Sequence, residues 1–406
     1  MVILFVVSFL FLALGAVYKW MEDVYLTEPL IAMVVGIILG PQVLELINTD
    51  VPDKLKILEK TSEFTIAMAL MAAALRLPKG FFRKNIKTQS VLVIFGMLIM
   101  WVLSSSIIYL VLHLPVAESL LIGAVLTPTD PVLSSTIISG EKAQKYLPSR
   151  IRNTLSFESG INDGLAYPIV IFSLFLLIGS EFPLNQWLTQ TLLYETILCG
   201  IIAYGIGHLA GVIMHKAHKM NIMTSKAVLP FSMGLAFLLL SGLELLHMNG
   251  ILAVFIGGLA YARAISDNED IQEEKVQEAM ERITLIPVFF IFGLLIPWEE
   301  WQGLGWDAVW IVLLILFFRR IPALLVLKPF LPQFKRRFFD SMLIGWFGPI
   351  GVAALYYAIM AEEKTLVEEV WIITSLVVFS STIIHGVTSL PAGKLYHNKS
   401  SLPLQE

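Results

Sequence analysis

Apolar stretches of bilayer length follow one another along almost the whole of this chain, near 2–20, 28–47, 57–75, 89–112, 117–139, 153–178, 188–213, 227–247, 250–265, 283–297, 308–330, 338–360 and 367–391. A spanning helix needs about 20 mainly apolar residues. The windows therefore predict an all-α polytopic membrane protein with about 13 transmembrane helices. Composition agrees. Only 15% of the residues are charged and 57% are apolar, where a soluble domain carries about 25% charge. The windows leave no room for a separate soluble domain. Met1–Trp20 lacks a basic leader region and a small-residue cleavage site, so it reads as a retained first helix. The single Cys199 excludes an intrachain disulfide and reads as a small core residue.

Sidedness follows from where the basic residues fall. Lys54, Lys56, Lys60 and Lys364 lie on one side, leaving 24 of the 28 basic residues for the alternate loops and the C-terminal segment. By the positive-inside rule the N-terminus is outside and the C-terminus cytoplasmic, which requires an odd number of spans. The acidic stretch Ser266–Arg282 then reads as a solvated cytoplasmic linker, and His215 with His218 as a solvated loop pair.

Two polar motifs interrupt this apolar pattern: Thr127-Pro128-Thr129-Asp130-Pro131 and Glu158-Ser159-Gly160-Ile161-Asn162-Asp163-Gly164. Ionisable residues inside a membrane are costly and mark ion or substrate paths. Asp130 lies near the middle of its window. Pro128 and Pro131 each lack a backbone N–H, so the helix is expected to unwind there and free the carbonyls of Thr127 and Thr129. In the next window Glu158 and Asn162 share one helix face, as do Ser159 and Asp163 one position on. The donor set is all oxygen. It suits a hard cation and offers nothing soft enough for a transition metal. No cofactor is expected.

The twelfth window repeats the interruption at Gly345-Trp346-Phe347-Gly348-Pro349-Ile350-Gly351. Matched interruptions in two halves are the pattern of inverted repeats whose broken helices cross at the midplane. Arg320 is expected to be buried and paired with Glu158, because a buried arginine needs an anion. Arg319 is expected to snorkel to the cytoplasmic surface. Three other readings share these residues. A polar network that merely joins helices is one, and a cation channel is another. An intramembrane aspartyl protease would use paired carboxylates, but it gives Asn162 and the prolines no role.

Thr129-Asp130-Pro131 followed by Glu158-Ser159…Asn162-Asp163-Gly164 resembles the NhaP-type monovalent cation/proton antiporters of the Asn-Asp branch. With Trp346–Gly351 added, the motifs look most like the fungal plasma-membrane sodium/proton antiporters. The resemblance covers essentially the full length. It implies that Asp163 binds the cation and carries the proton, and that Asp130, Ser159 and the backbone of Thr129 are fellow Na⁺ ligands. Asn162 would be the helix-crossing asparagine and Glu158 with Arg320 a structural ion pair. Pro128, Pro131, Gly348 and Pro349 would shape the crossing. One departure stands out: Ile350 occupies a position where many relatives have arginine, so no role of that arginine carries over. The resemblance further implies exchange of Na⁺ or Li⁺ for H⁺, or of K⁺ on the same site, in a homodimer in the cell membrane serving pH homeostasis. No nucleic-acid partner is implied. The expected organisation is one transmembrane antiporter domain over 1–400, with core helices about 89–178 and 308–391. Dimerisation helices lie about 1–75 and 188–297, and 401–406 forms a short tail.

Overall fold

The computed structural model describes residues 1–23, 26–48, 53–131, 133, 140–179, 183–222, 227–265, 283–335 and 337–399. The acidic stretch 266–282, residues 134–139 of the fifth window and the tail 401–406 lie outside the described residues. Among those described there is no strand, and the chain is an all-helical, multi-pass membrane protein.

Helix α1 spans Val2–Asp23, α2 Glu28–Leu39, α3 Lys54–Arg76, α4 Ile86–Leu112 and α5 Val116–Val125. Next come α6 Ser149–Ile178, α7 Leu184–Lys219, α8 Val228–Glu244, α9 Gly250–Ala264 and α10 Ile283–Leu294. The last third holds α11 Trp306–Phe318, α12 Ile321–Leu327, α13 Phe338–Trp346, α14 Val352–Thr365 and α15 Glu368–Lys399. His215 and His218 sit exposed in the last turns of α7 rather than in a loop.

Local chemistry sets where helices stop. After Val125 the backbone leaves helical bonding at Thr127–Asp130, where Pro128 and Pro131 supply no N–H. α13 and α14 are separated by Phe347–Gly351, which contains Pro349 and two glycines. The window expected as one helix over 308–330 is divided at Arg319–Arg320. Pro322 cannot donate to the carbonyl of Phe318, and its ring crowds the preceding turn.

Two groups of helices meet along α6 and α14. On one side α9 packs against α3, α7 and α8. On the other, α5 contacts α4, α6 and α15, and α11 contacts α4 and α15. Both α6 and α14 touch α3, and α6 also touches α9.

One joint in this seam starts from a proline in mid-helix. Pro168 lies inside α6 and leaves the carbonyl of Gly164 without its helical donor. Asn249 supplies one: Asn249 Nδ2 donates to Gly164 O at 2.8 Å. The same side chain caps α9 by accepting from Leu252 N at 3.0 Å, and Cys199 Sγ of α7 donates to Asn249 O at 3.2 Å. Three helices are thus tied at one buried asparagine.

Asn249→Ala should therefore cost about 2–4 kcal/mol, the lost cap plus an unsatisfied buried carbonyl. Thermal melting of the detergent-purified protein checks this. A shift of less than a degree would remove Asn249 from this role.

Candidate functional site

The site lies where the Thr127–Asp130 segment meets the Phe347–Gly351 segment beside α6. Breaking a helix leaves negative carbonyl ends and positive N–H ends, which need partners when water is excluded. Arg319 supplies the first set. It is 2% exposed, and its Nη1 donates to the carbonyls of Leu126, Thr127 (3.2 Å) and Pro128 (3.2 Å). Its Nη2 donates to Gly348 O at 2.5 Å. One guanidinium thus joins the carbonyl-rich ends of both interrupted segments. This overturns the expectation that Arg319 snorkels: the break at Pro322 turns the side chain inward, where the freed carbonyls compensate its charge.

Asp130 serves the opposite end. Its Oδ2 accepts from Val352 N at 2.6 Å, at the first residue of α14, and its Oδ1 accepts from Leu133 N at 3.2 Å. A carboxylate at a helix N-terminus is favourably placed. Its own N–H donates to Pro349 O at 2.8 Å. Glycine makes both approaches feasible. A Cβ on Gly351 would stand 2.6 Å from Asp130 Cγ, and one on Gly348 would stand 2.6 Å from Arg320 Nε.

The α6 side chains join this crossing. Asn162 Nδ2 donates to Thr129 Oγ1 at 2.7 Å, and Asn162 Oδ1 accepts from Thr129 N at 3.2 Å. Both ends of the amide are used, so Asn162 holds the unwound strand without adding charge. Glu158 Oε2 accepts from Arg320 Nη2 at 2.7 Å, both groups being buried, and Arg320 Nε donates to Ile344 O at 2.9 Å. Ser159 Oγ donates to Leu155 O of its own helix, leaving its oxygen lone pairs as acceptors.

Asp163 differs from its neighbours. It is 1% exposed, and among the described residues its Oδ1 has no hydrogen-bond partner and no cation pairs with it. A buried charge without a partner is expensive, so this carboxyl asks for a proton or a cation. Its backbone is fixed from α14, where Tyr357 Oη donates to Asp163 O at 2.6 Å.

Several of these supports were absent from the sequence reading. Besides Arg319 and Tyr357, α15 braces the second break: Ile350 N donates to Ser381 Oγ at 2.8 Å. A ring nitrogen of His385 lies 3.1 Å from Trp346 O, and Trp346 Nε1 donates to Thr388 Oγ1 at 3.2 Å. The available signal was the run of buried polar residues at i, i+4 spacing in an otherwise apolar helix; their targets are far away in sequence.

Residues 2–394 match the family model described as sodium/hydrogen exchanger, transmembrane. The Na(+)/H(+) antiporter 2 of Zygosaccharomyces rouxii is 30% identical over 90% of this chain and 49% of that protein. The Na(+)/H(+) antiporter of Saccharomyces cerevisiae is 28% identical over 90% of this chain and 40% of that protein. The chain thus spans less than half the length of either relative. Among solved structures, the sodium proton antiporter MjNhaP1 from Methanocaldococcus jannaschii has a TM-score of 0.75 at 22% identity, covering 99% of both chains, and shares the fold.

The Glu158–Arg320 contact yields a stability prediction. Arg320→Met should cost about 3–5 kcal/mol, because it strands a buried carboxylate, and Glu158→Leu added to it should recover most of that loss. Melting temperatures of the single and double variants decide. Equal destabilisation in both would show that the charges are not coupled.

Proposed function

The chain belongs to the sodium/hydrogen exchanger family, and on that premise we propose that it is a secondary transporter exchanging Na⁺ or Li⁺ for H⁺ by alternating access. The observation that carries this reading is the isolation of Asp163. At the crossing Glu158 pairs with Arg320, Arg319 is compensated by carbonyls, and Asp130 is compensated by the α14 N-terminus. Asp163 alone is left for an exchangeable partner.

The proposed mechanism follows from that arrangement. A bare carboxylate is disfavoured in a dry, low-dielectric site, so Asp163 crosses only when neutralised. A proton neutralises it directly. A sodium ion neutralises it with oxygen ligands from Ser159, Asp130 and the backbone of Thr129, a set suited to a hard monovalent cation. Cation and proton therefore exclude one another at one carboxyl. Asn162 is uncharged, so each half-cycle carries one positive charge and exchange is electroneutral and one-for-one. Sodium rather than potassium is supported by the names of both fungal relatives.

The same reading gives Pro128, Pro131, Gly348 and Pro349 the task of keeping the crossing unwound, so that the core formed by about 89–178 and 308–391 moves as a block against about 1–75 and 188–297. Thirteen crossings with the N-terminus outside and the C-terminus cytoplasmic are supported by the one-sided Lys and Arg distribution. A homodimer in the cell membrane is supported by α1, whose Phe5, Phe9, Leu12 and Trp20 are exposed.

In liposomes carrying an internal pH dye and an imposed proton gradient, Na⁺ or Li⁺ should dissipate the gradient independently of membrane voltage. Asp163→Asn should reduce this to the level of protein-free liposomes. Full exchange in that variant would overturn the assignment of Asp163, and voltage-driven flux without proton movement would move the reading to a channel. Competition also fixes a pH dependence: below the titration of the carboxyl, apparent Na⁺ affinity should fall about tenfold per pH unit. Initial rates from pH 6 to 8.5 test this, and a flat affinity would contradict a shared site.

A further inference from the structure

At the basic end of the molecule an apolar cavity of about 430 Å³ opens between α6 and the helices α3, α7 and α9. Phe157 and Ile161 of α6 form one wall, and Ile256 of α9 with Tyr204 of α7 forms the other. A second cavity of about 450 Å³ continues along the seam, sharing Ile161, Tyr204 and Ile256 with the first. Two exposed arginines, Arg83 and Arg263, line the first cavity beside Lys79, and among the described residues no acidic side chain lines either. Lys79 Nζ is anchored there by donating to Ile265 O at 2.5 Å.

Arg83 and Arg263 on dry walls disfavour a metal cation and favour an anion. Tight packing of Phe157 against Phe255, with ring centroids 5.8 Å apart, also stands between α6 and α9 there. The chemistry that fits is a long apolar tail with an anionic head. The volume lies in the range of about 300–1,000 Å³ that accommodates one small amphiphile, and basic pockets between helices favour anionic lipid headgroups. An acyl chain needs no hydrogen bonds from the walls, and the walls offer few.

We infer that this seam is a binding site for one anionic phospholipid, its phosphate between Arg83 and Arg263 and an acyl chain lying along Ile161, Tyr204 and Ile256. The occupant rests on the helix that carries Asn162 and Asp163, at the joint between the two helix groups.

Native mass spectrometry of the delipidated chain, titrated with phosphatidylglycerol or phosphatidylcholine, tests the inference without relying on transport. The wild type should retain phosphatidylglycerol about tenfold more strongly than phosphatidylcholine. The double variant Arg83→Gln/Arg263→Gln changes exposed side chains only; it should keep its lipid-free melting temperature and lose the preference. Ile256→Trp, which fills the seam, should lose retention of the anionic lipid altogether. Equal retention of the two lipids by the wild type, or a preference that survives in the double arginine variant, would overturn the site.

Discussion

Every backbone polar group released where a helix breaks inside a bilayer must find a partner within the protein. The architecture around the crossing is organised by that requirement. Arg319 takes four carbonyls from two interrupted segments, Asp130 takes the N–H that begins α14, and Asn162 takes both the N–H and the hydroxyl of Thr129. α15 completes the set through Ser381 and His385. Removing any one member leaves a buried polar group unsatisfied, so these side chains are structural before they are anything else.

The same requirement accounts for the chemical isolation of Asp163. Among the described residues, four of the five charged groups at the crossing are committed: Glu158 and Arg320 to each other, Arg319 to carbonyls and Asp130 to backbone N–H groups. The remaining carboxyl lies one turn from Ser159 on a helix fixed by Tyr357 and, through Gly164, by Asn249. A rigid frame around one uncommitted, desolvated acid is what competition between a proton and a cation requires.

Much of this was legible in the chain. The apolar windows gave the helical, multi-pass class. Pro128 and Pro131, with Gly348, Pro349 and Gly351, mark where the backbone leaves helical bonding, because proline's missing donor acts locally. The Arg320–Glu158 contact could be argued from charge alone. Arg319 could not: its inward turn depends on Pro322 breaking the eleventh window and on carbonyls nearly 200 residues away in sequence. Pro168 was equally readable as a helix defect, but the donor that repairs it, Asn249, belongs to another helix. Tyr357 and Ser381 act on backbone atoms, and such targets leave no trace in residue identity. Local rules carried the reading as far as local causes reach.

The central claim is that one proton and one cation compete for Asp163. Its most direct test is proton release from purified protein in weakly buffered detergent as NaCl is added, with choline chloride as the control for ionic strength. About half a proton released per sodium bound at the midpoint of carboxyl titration, rising towards one at lower pH, and none in Asp163→Asn, is the result expected. Sodium binding without proton release, or release that persists in Asp163→Asn, would contradict it.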